Sequence, residues 1–289
     1  MIDGMFFMHN TVIVQSIHKS GTNLISQVIK NTDYNIIGCG ISESTSLIKK
    51  EVKQYIKHNY SLLQRLLFIY RVFDLSGKPP LNNLKTFNII IEVFLKALAL
   101  KKNTCIFTHY LGEGILDKAL PATQIPIIFN YRDPRDVLIS LIHYILNAAN
   151  EGFTPIKIFQ KHHKTLKKFN NINECISHII NNWPWFFLNF KLHLWLLENP
   201  KVLKVSYEEL VGPNGGGGAE LQIETVKKIL NFIDIQKVPE DVAKDIYNTK
   251  SRTFHRGKIS GWKDIFTQKN KNEFNEKYGD LPKLFGYPQ

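Results

Sequence analysis

Residues Thr11–Ile17 read TVIVQSI, His18–Asn23 read HKSGTN and Leu24–Asn31 read LISQVIKN. The first is a β-branched run of strand length, and the last spaces Leu24, Ile25, Val28 and Ile29 as a helix does. A strand that enters a helix through a short polar loop is the first half of a βαβ unit. Such units build a mostly parallel sheet with helices on both faces. Ligands of these sheets sit beyond the carboxyl ends of the strands, so the residues that follow each strand are where chemistry is sought.

The pattern recurs along the chain. Thr104–Thr108 (TCIFT), Pro126–Tyr131 (PIIFNY) and Val202–Ser206 (VLKVS) are three more strand candidates. A helix is expected from Pro134, where proline suits a first turn, and another over Glu220–Ile233 after the loop GPNGGGG. Residues 41–103 carry amphipathic helical patterns, clearest at 61–73 and 88–100, with a break at Ser76-Gly77-Lys78-Pro79-Pro80. With no internal repeat and no shift of composition, the expectation is one α/β domain over 1–289, a central parallel sheet flanked by helices, with a helical insertion near 41–103.

Composition narrows the class. A chain of 289 residues, 44% hydrophobic, 12% aromatic and 21% charged, has the profile of a globular protein with a substantial core; disorder, coiled coil and collagen are excluded. Cys39, Cys105 and Cys175 are odd in number, widely spaced and in no CxxC pattern, which points to a reducing, cytoplasmic compartment without a disulfide framework or zinc site. The opening MIDGMFFMHN lacks a basic n-region and an apolar run, arguing against a signal peptide. The most apolar stretches, 87–100 and 183–197, are interrupted by charge and fall short of a membrane span. Thirty-seven Lys and Arg against 25 Asp and Glu give +12, which favours an anionic partner: nucleic acid, a membrane surface or a phosphorylated small molecule. Only six of these residues are Arg, and four of the six fall in 132–135 and 252–256. Arginine forks phosphate where lysine cannot, so those two segments stand out.

Several residues qualify for chemistry, each with a plainer reading beside it. The loop Lys19-Ser20-Gly21-Thr22-Asn23 sits where backbone N–H groups and a helix N-terminus attract an anion; it is not a Walker A loop, and it also reads as a polar turn that caps a helix. Arg132 follows the third strand candidate, and Ser140 lies two turns along the next helix, so the two suit one oxyanion; alternatively Arg132 pairs with Asp133 or Asp136 and Ser140 packs. His109 ends the second strand candidate and is either a proton acceptor for a substrate hydroxyl or structural. Phe254-His255-Arg256-Gly257-Lys258 is either a phosphate clamp or a basic turn. Lys161-His162-His163-Lys164 with Lys167 and Lys168 reads as a solvated helix face, or as a contact for nucleic acid or acidic lipid.

Taken in order, SIHKSGTNLISQVI, IFTHYLG, IPIIFNYRDPRDVLISLIHY, KVSYEELVGPNGGGG and TFHRGKISGWKDIFT resemble the cytosolic-type sulfotransferase family, from about residue 11 to the C-terminus except for roughly 38–103. The resemblance implies a fold like that of P-loop nucleotide kinases. It also implies a reaction, transfer of a sulfonate group from 3′-phosphoadenosine 5′-phosphosulfate (PAPS), with 3′-phosphoadenosine 5′-phosphate (PAP) as product. On its pattern Lys19, Ser20, Gly21, Thr22 and Asn23 hold the 5′-phosphosulfate. Lys19 also steadies the leaving oxygen, and His109 is the catalytic base. Arg132 and Ser140 bind the 3′-phosphate, Arg256, Gly257 and Lys258 form the C-terminal phosphate loop, and Tyr207 lies near adenine. Leu24 stands where many animal members have tryptophan, and His255 where Arg or Lys is common; GPNGGGG looks like the loop of bacterial relatives. No metal is implied, and the partner expected is a small-molecule acceptor; the 41–103 insertion is expected to be the acceptor lid, its amphipathic patterns suiting an apolar or bulky acceptor or, equally, core packing of those helices. No nucleic acid is expected, while peripheral membrane contact stays open. A kinase or other nucleotide-dependent transferase and a non-enzymatic polyanion-binding protein are the rival classes.

Overall fold

The computed structural model describes residues 11–37, 103–109, 125–148, 157–247 and 257–289. β1 (Thr11–Ser16) leads through a tight loop into α1 (Thr22–Lys30), followed by β2 (Asn35–Ile37), β3 (Thr104–Thr108) and β4 (Ile127–Tyr131). Next come α2 (Pro134–Ala148), α3 (Lys157–Leu166), α4 (Ile172–Asn182), α5 (Pro184–Lys191), α6 (Leu194–Glu198) and β5 (Val202–Ser206). The remainder is helical: α7 (Tyr207–Leu210), α8 (Ala219–Phe232), α9 (Pro239–Lys244), α10 (Trp262–Ile265), α11 (Gln268–Tyr278) and α12 (Asp280–Leu284). The five strands form one sheet in the order β2-β3-β1-β4-β5, and every pairing is parallel. This is the α/β architecture expected from the sequence.

Period-two alternation explains why β1 is central. Ile13 and Ile17 face a core built with α2, α4 and α5, while Val12 and Val14 face a second core built with α1, α8 and α9. All six residues of β1 are buried, as a strand covered on both faces requires. Its one amide, Gln15, is satisfied: His193 donates from Nδ1 to the Asn189 carbonyl at 2.6 Å, leaving Nε2 to accept from Gln15 at 2.8 Å. On the other face Leu24, Ile25, Val28 and Ile29 of α1 are buried as their spacing demands, each contributing about 1.5–3 kcal/mol relative to exposure.

β2 is a difference from the sequence reading. Three residues starting with Asn are too few to show a period, and the strand exists because Asn35–Ile37 pair in register with Thr104–Ile106. The helical patterns of 41–103 lie outside the described residues except for Asn103, as does Cys39. Cys105 and Cys175 are buried, and neither is in a disulfide.

Candidate active site

The carboxyl ends of β1, β3, β4 and β5 deliver the loop at Lys19, His109, Arg132 and Tyr207 to one edge of the sheet. The loop is tight, because the Ser20 N–H closes back on the Ile17 carbonyl at 3.1 Å. Lys19 is held at φ 67° and Gly21 at φ 85°, conformations that Gly adopts freely and a lysine seldom does. Gly21 is also fixed by packing, since a Cβ there would strike the Tyr207 ring. α1 then begins with no side-chain cap and no acidic residue in its first turn. Ser20 is fully buried, and its Oγ has no hydrogen-bond partner. An unsatisfied buried hydroxyl at an open helix N-terminus is what a site for an oxyanion looks like before the anion arrives.

Two cations and two aromatic rings frame this terminus. The Lys19 ammonium lies 4.3 Å from the centre of the Tyr144 ring. Arg132 stacks over Tyr207 at 4.0 Å, donates to the Lys258 carbonyl at 2.7 Å and lies 3.5 Å from the Asp136 carboxylate, while its buried Nε has no partner. Tyr207 donates to the Gly257 carbonyl at 2.7 Å, so Arg132 and Tyr207 together pin the 257–258 turn against the loop. Burial, and then the charge of Arg132, push Lys19 down to about 8. A bound anion would reverse both effects.

His109 is oriented by its backbone. Its Nδ1 lies 2.7 Å from the Ser16 carbonyl; a carbonyl only accepts, so the proton sits on Nδ1 and Nε2 carries the lone pair. Burial lowers the pKa of His109, against the opposing pull of the Ser16 bond, and His193 and Lys19 lower it further. The ring is therefore neutral at pH 7, in the form able to take a proton. His18 stacks on it at 4.1 Å and is pushed down to about 3, first by burial and then by His109, Lys19 and His193. Among the described residues no group of three or more His, Cys, Asp and Glu could hold a metal ion.

Residues 9–286 match the family described as "Sulfotransferase domain". The chain belongs to the sulfotransferase family. Human sulfotransferase 2A1 is 25% identical over 218 residues, covering 66% of this chain and 70% of that protein. A guinea pig 3-alpha-hydroxysteroid sulfotransferase is 24% identical over 203 residues, 65% of this chain and 66% of its own length. In fold, the chain resembles mouse sulfotransferase SULT7A1 complexed with PAP, with a TM-score of 0.54 at 18% identity over 97% of this chain and 89% of that one. It also resembles retinol dehydratase in complex with androsterone and inactive cofactor PAP, with a TM-score of 0.51 at 14% identity over 94% and 80%.

In this sulfotransferase the sequence-predicted residues fall as follows. Lys19, Ser20, Gly21, Thr22, His109, Arg132, Tyr207, Gly257 and Lys258 are brought to one edge, with Asn23 exposed in the first turn of α1. Thr22 shares a 2.7 Å hydrogen bond with Ser16. Ser140 is half-buried on α2. Arg256 and His255 lie outside the described residues. The plainer reading of Arg132 also holds, since it does pair with Asp136, while Asp133 takes Arg135 at 2.7 Å. Sequence reasoning missed His18 and Tyr144. Tyr144 was within reach, because it lies one turn beyond Ser140 on the same helical face; a single histidine beside a loop gives no such signal.

Proposed function

We propose that this sulfotransferase moves a sulfonate group from PAPS to a hydroxyl or amine of a small-molecule acceptor in the cytoplasm. The observation that carries the reading is the pair at the head of α1: an open helix terminus with a buried, unpartnered Ser20 hydroxyl, and beside it the lysine that burial and Arg132 push down to about 8, a cation that a bound anion would stabilise. Lys19, Ser20, Gly21, Thr22 and Asn23 would hold the 5′-phosphosulfate. Arg132, Ser140, Arg256, Gly257 and Lys258 would hold the 3′-phosphate, and Tyr207 would sit by the adenine. When bound, PAPS supplies an activated sulfonate on a phosphate leaving group. His109 takes the acceptor's proton on Nε2 while the Ser16 carbonyl keeps the ring in the required tautomer. Lys19 meets the negative charge that grows on the leaving oxygen, and the fixed loop holds the reacting groups in line. Two buried cysteines outside any disulfide suit a reducing compartment. Two guinea pig relatives named for hydroxysteroids make an apolar alcohol the acceptor class to try first.

The test is thermal unfolding with PAP, AMP or MgATP at equal concentration. At 100 times its dissociation constant a native-state ligand adds about 2.7 kcal/mol, a shift of several degrees for a chain of this size. A shift with PAP and none with AMP supports the reading. A shift with MgATP alone replaces it with a kinase-like one.

A further inference from the structure

The basic cluster of α3 is not part of the site at the sheet edge, and the structure gives it a neighbour that the sequence did not. His162, between Lys161 and His163, packs its ring 4.2 Å from Trp183 and 5.4 Å from Trp185, which joins α3 to α5. Trp185, Leu188 and Leu192, spaced along one side of α5 and the turn after it, are 48%, 52% and 38% exposed. Half of the six exposed large hydrophobic side chains described thus fall on this short row. Lys161 and Lys164 on α3, and Lys168 just after it, are exposed. Residues 157–192 contain six Lys, no Arg and a single acid, Glu174, and that acid is occupied in accepting from the Asn170 N–H at 3.0 Å and the Asn171 amide at 3.1 Å.

Exposed tryptophan and leucine on α5, joined through His162 to the lysine-rich α3, match a membrane–water interface. The indole settles at headgroup depth, the leucines enter the acyl boundary and the flexible lysine stems reach anionic phosphates. A nucleic acid would ask for arginine forks and planar stacking rather than a leucine row. An ordinary protein interface core is depleted in lysine. We propose that the α3–α5 face is a peripheral membrane-docking surface for bilayers carrying anionic lipid. The attachment is reversible, since no helix of the described residues is long and apolar enough to cross a membrane. It does not depend on the proposed transfer reaction.

The test is flotation of the full chain with phosphatidylcholine vesicles, with and without a one-third share of phosphatidylserine, at low and at physiological salt. Flotation with the anionic vesicles alone, weakening as salt rises, is the expected result. Lys161→Glu/Lys164→Glu/Lys168→Glu should weaken it by about two orders of magnitude, and Trp185→Ala/Leu188→Ser by about tenfold or more. The same charge reversal elsewhere, Lys227→Glu/Lys228→Glu/Lys237→Glu, should leave most of it. Because all these side chains are exposed, an unchanged unfolding midpoint certifies each variant, and the wild-type comparison of the two vesicles stands without them. Three results overturn the proposal: no flotation with anionic vesicles, equal loss in the distant reversal, or a dimer in solution that Trp185→Ala/Leu188→Ser dissolves while vesicle binding is nil.

Discussion

The N-termini of α1 and α4 solve the same problem in opposite ways. Both helices must satisfy the first N–H groups, which have no partner inside the helix. α4 closes its own end: the Asn171 side chain accepts from the Glu174 N–H at 3.1 Å, and Glu174 sits in the first turn where a negative charge suits the helix dipole. α1 has a left-handed Gly21 at its cap, no capping side chain, no acid in its first turn, a buried hydroxyl without a partner and a lysine at positive φ. One end is closed by its own side chains, while the other leaves the buried Ser20 hydroxyl without a partner. Departures from local rules tend to mark where a chain must bind or react, and here they coincide with the site.

Breaking the contrast from the α1 side has the largest effect. Lys19→Ala should cut kcat about a thousandfold with little or no fall in the unfolding midpoint, since a buried, depressed cation is removed; near-normal turnover would end the role assigned to α1. His109→Ala should cost about a hundredfold in kcat yet keep the PAP-induced thermal shift, and loss of that shift would make His109 a binding or structural residue. A pH profile sharpens the picture further. With Lys19 pushed down to about 8 in the ligand-free protein, kcat/KM for the donor should fall about tenfold per pH unit above that value. Lys19→Arg, charged throughout, should lack this limb even if its maximum is lower. The sign for stability is opposite: a lowered lysine pKa penalises the fold below about 8, and the penalty is relieved as pH rises toward the ordinary lysine value of 10.5. Smallest is the change at α4. Asn171→Ala should cost about 1 kcal/mol, roughly 2–4 °C in Tm, and leave kcat and nucleotide binding alone; a change in kcat there would erase the distinction between the two ends.

What the sequence displayed and what it hid follow from the range of the forces involved. β1, β3, β4 and β5 are legible because β-branched runs of five or six residues carry their own pattern, and Lys19, His109 and Arg132 are legible because each directly follows such a run. β2 has no local signal; pairing with β3 creates it. The stack of His18 on His109 brings together residues 91 positions apart and exists only once β1 and β3 lie side by side. The Gly21–Tyr207 contact is longer in range still, so the sequence offered the glycine as a turn former and not as a seat for a ring.

The place of β1 in the sheet also bears on how the protein is made. β1 begins at residue 11 and leaves the ribosome well before its partners, β3 and β4, which begin at residues 104 and 127. At synthesis rates of about 5–20 residues per second, roughly five to twenty seconds pass before either can pair with it. Throughout that interval a buried-type strand with two unpaired edges is open to other nascent chains. The strand that leads into the loop at Lys19 is therefore one that a chaperone would protect.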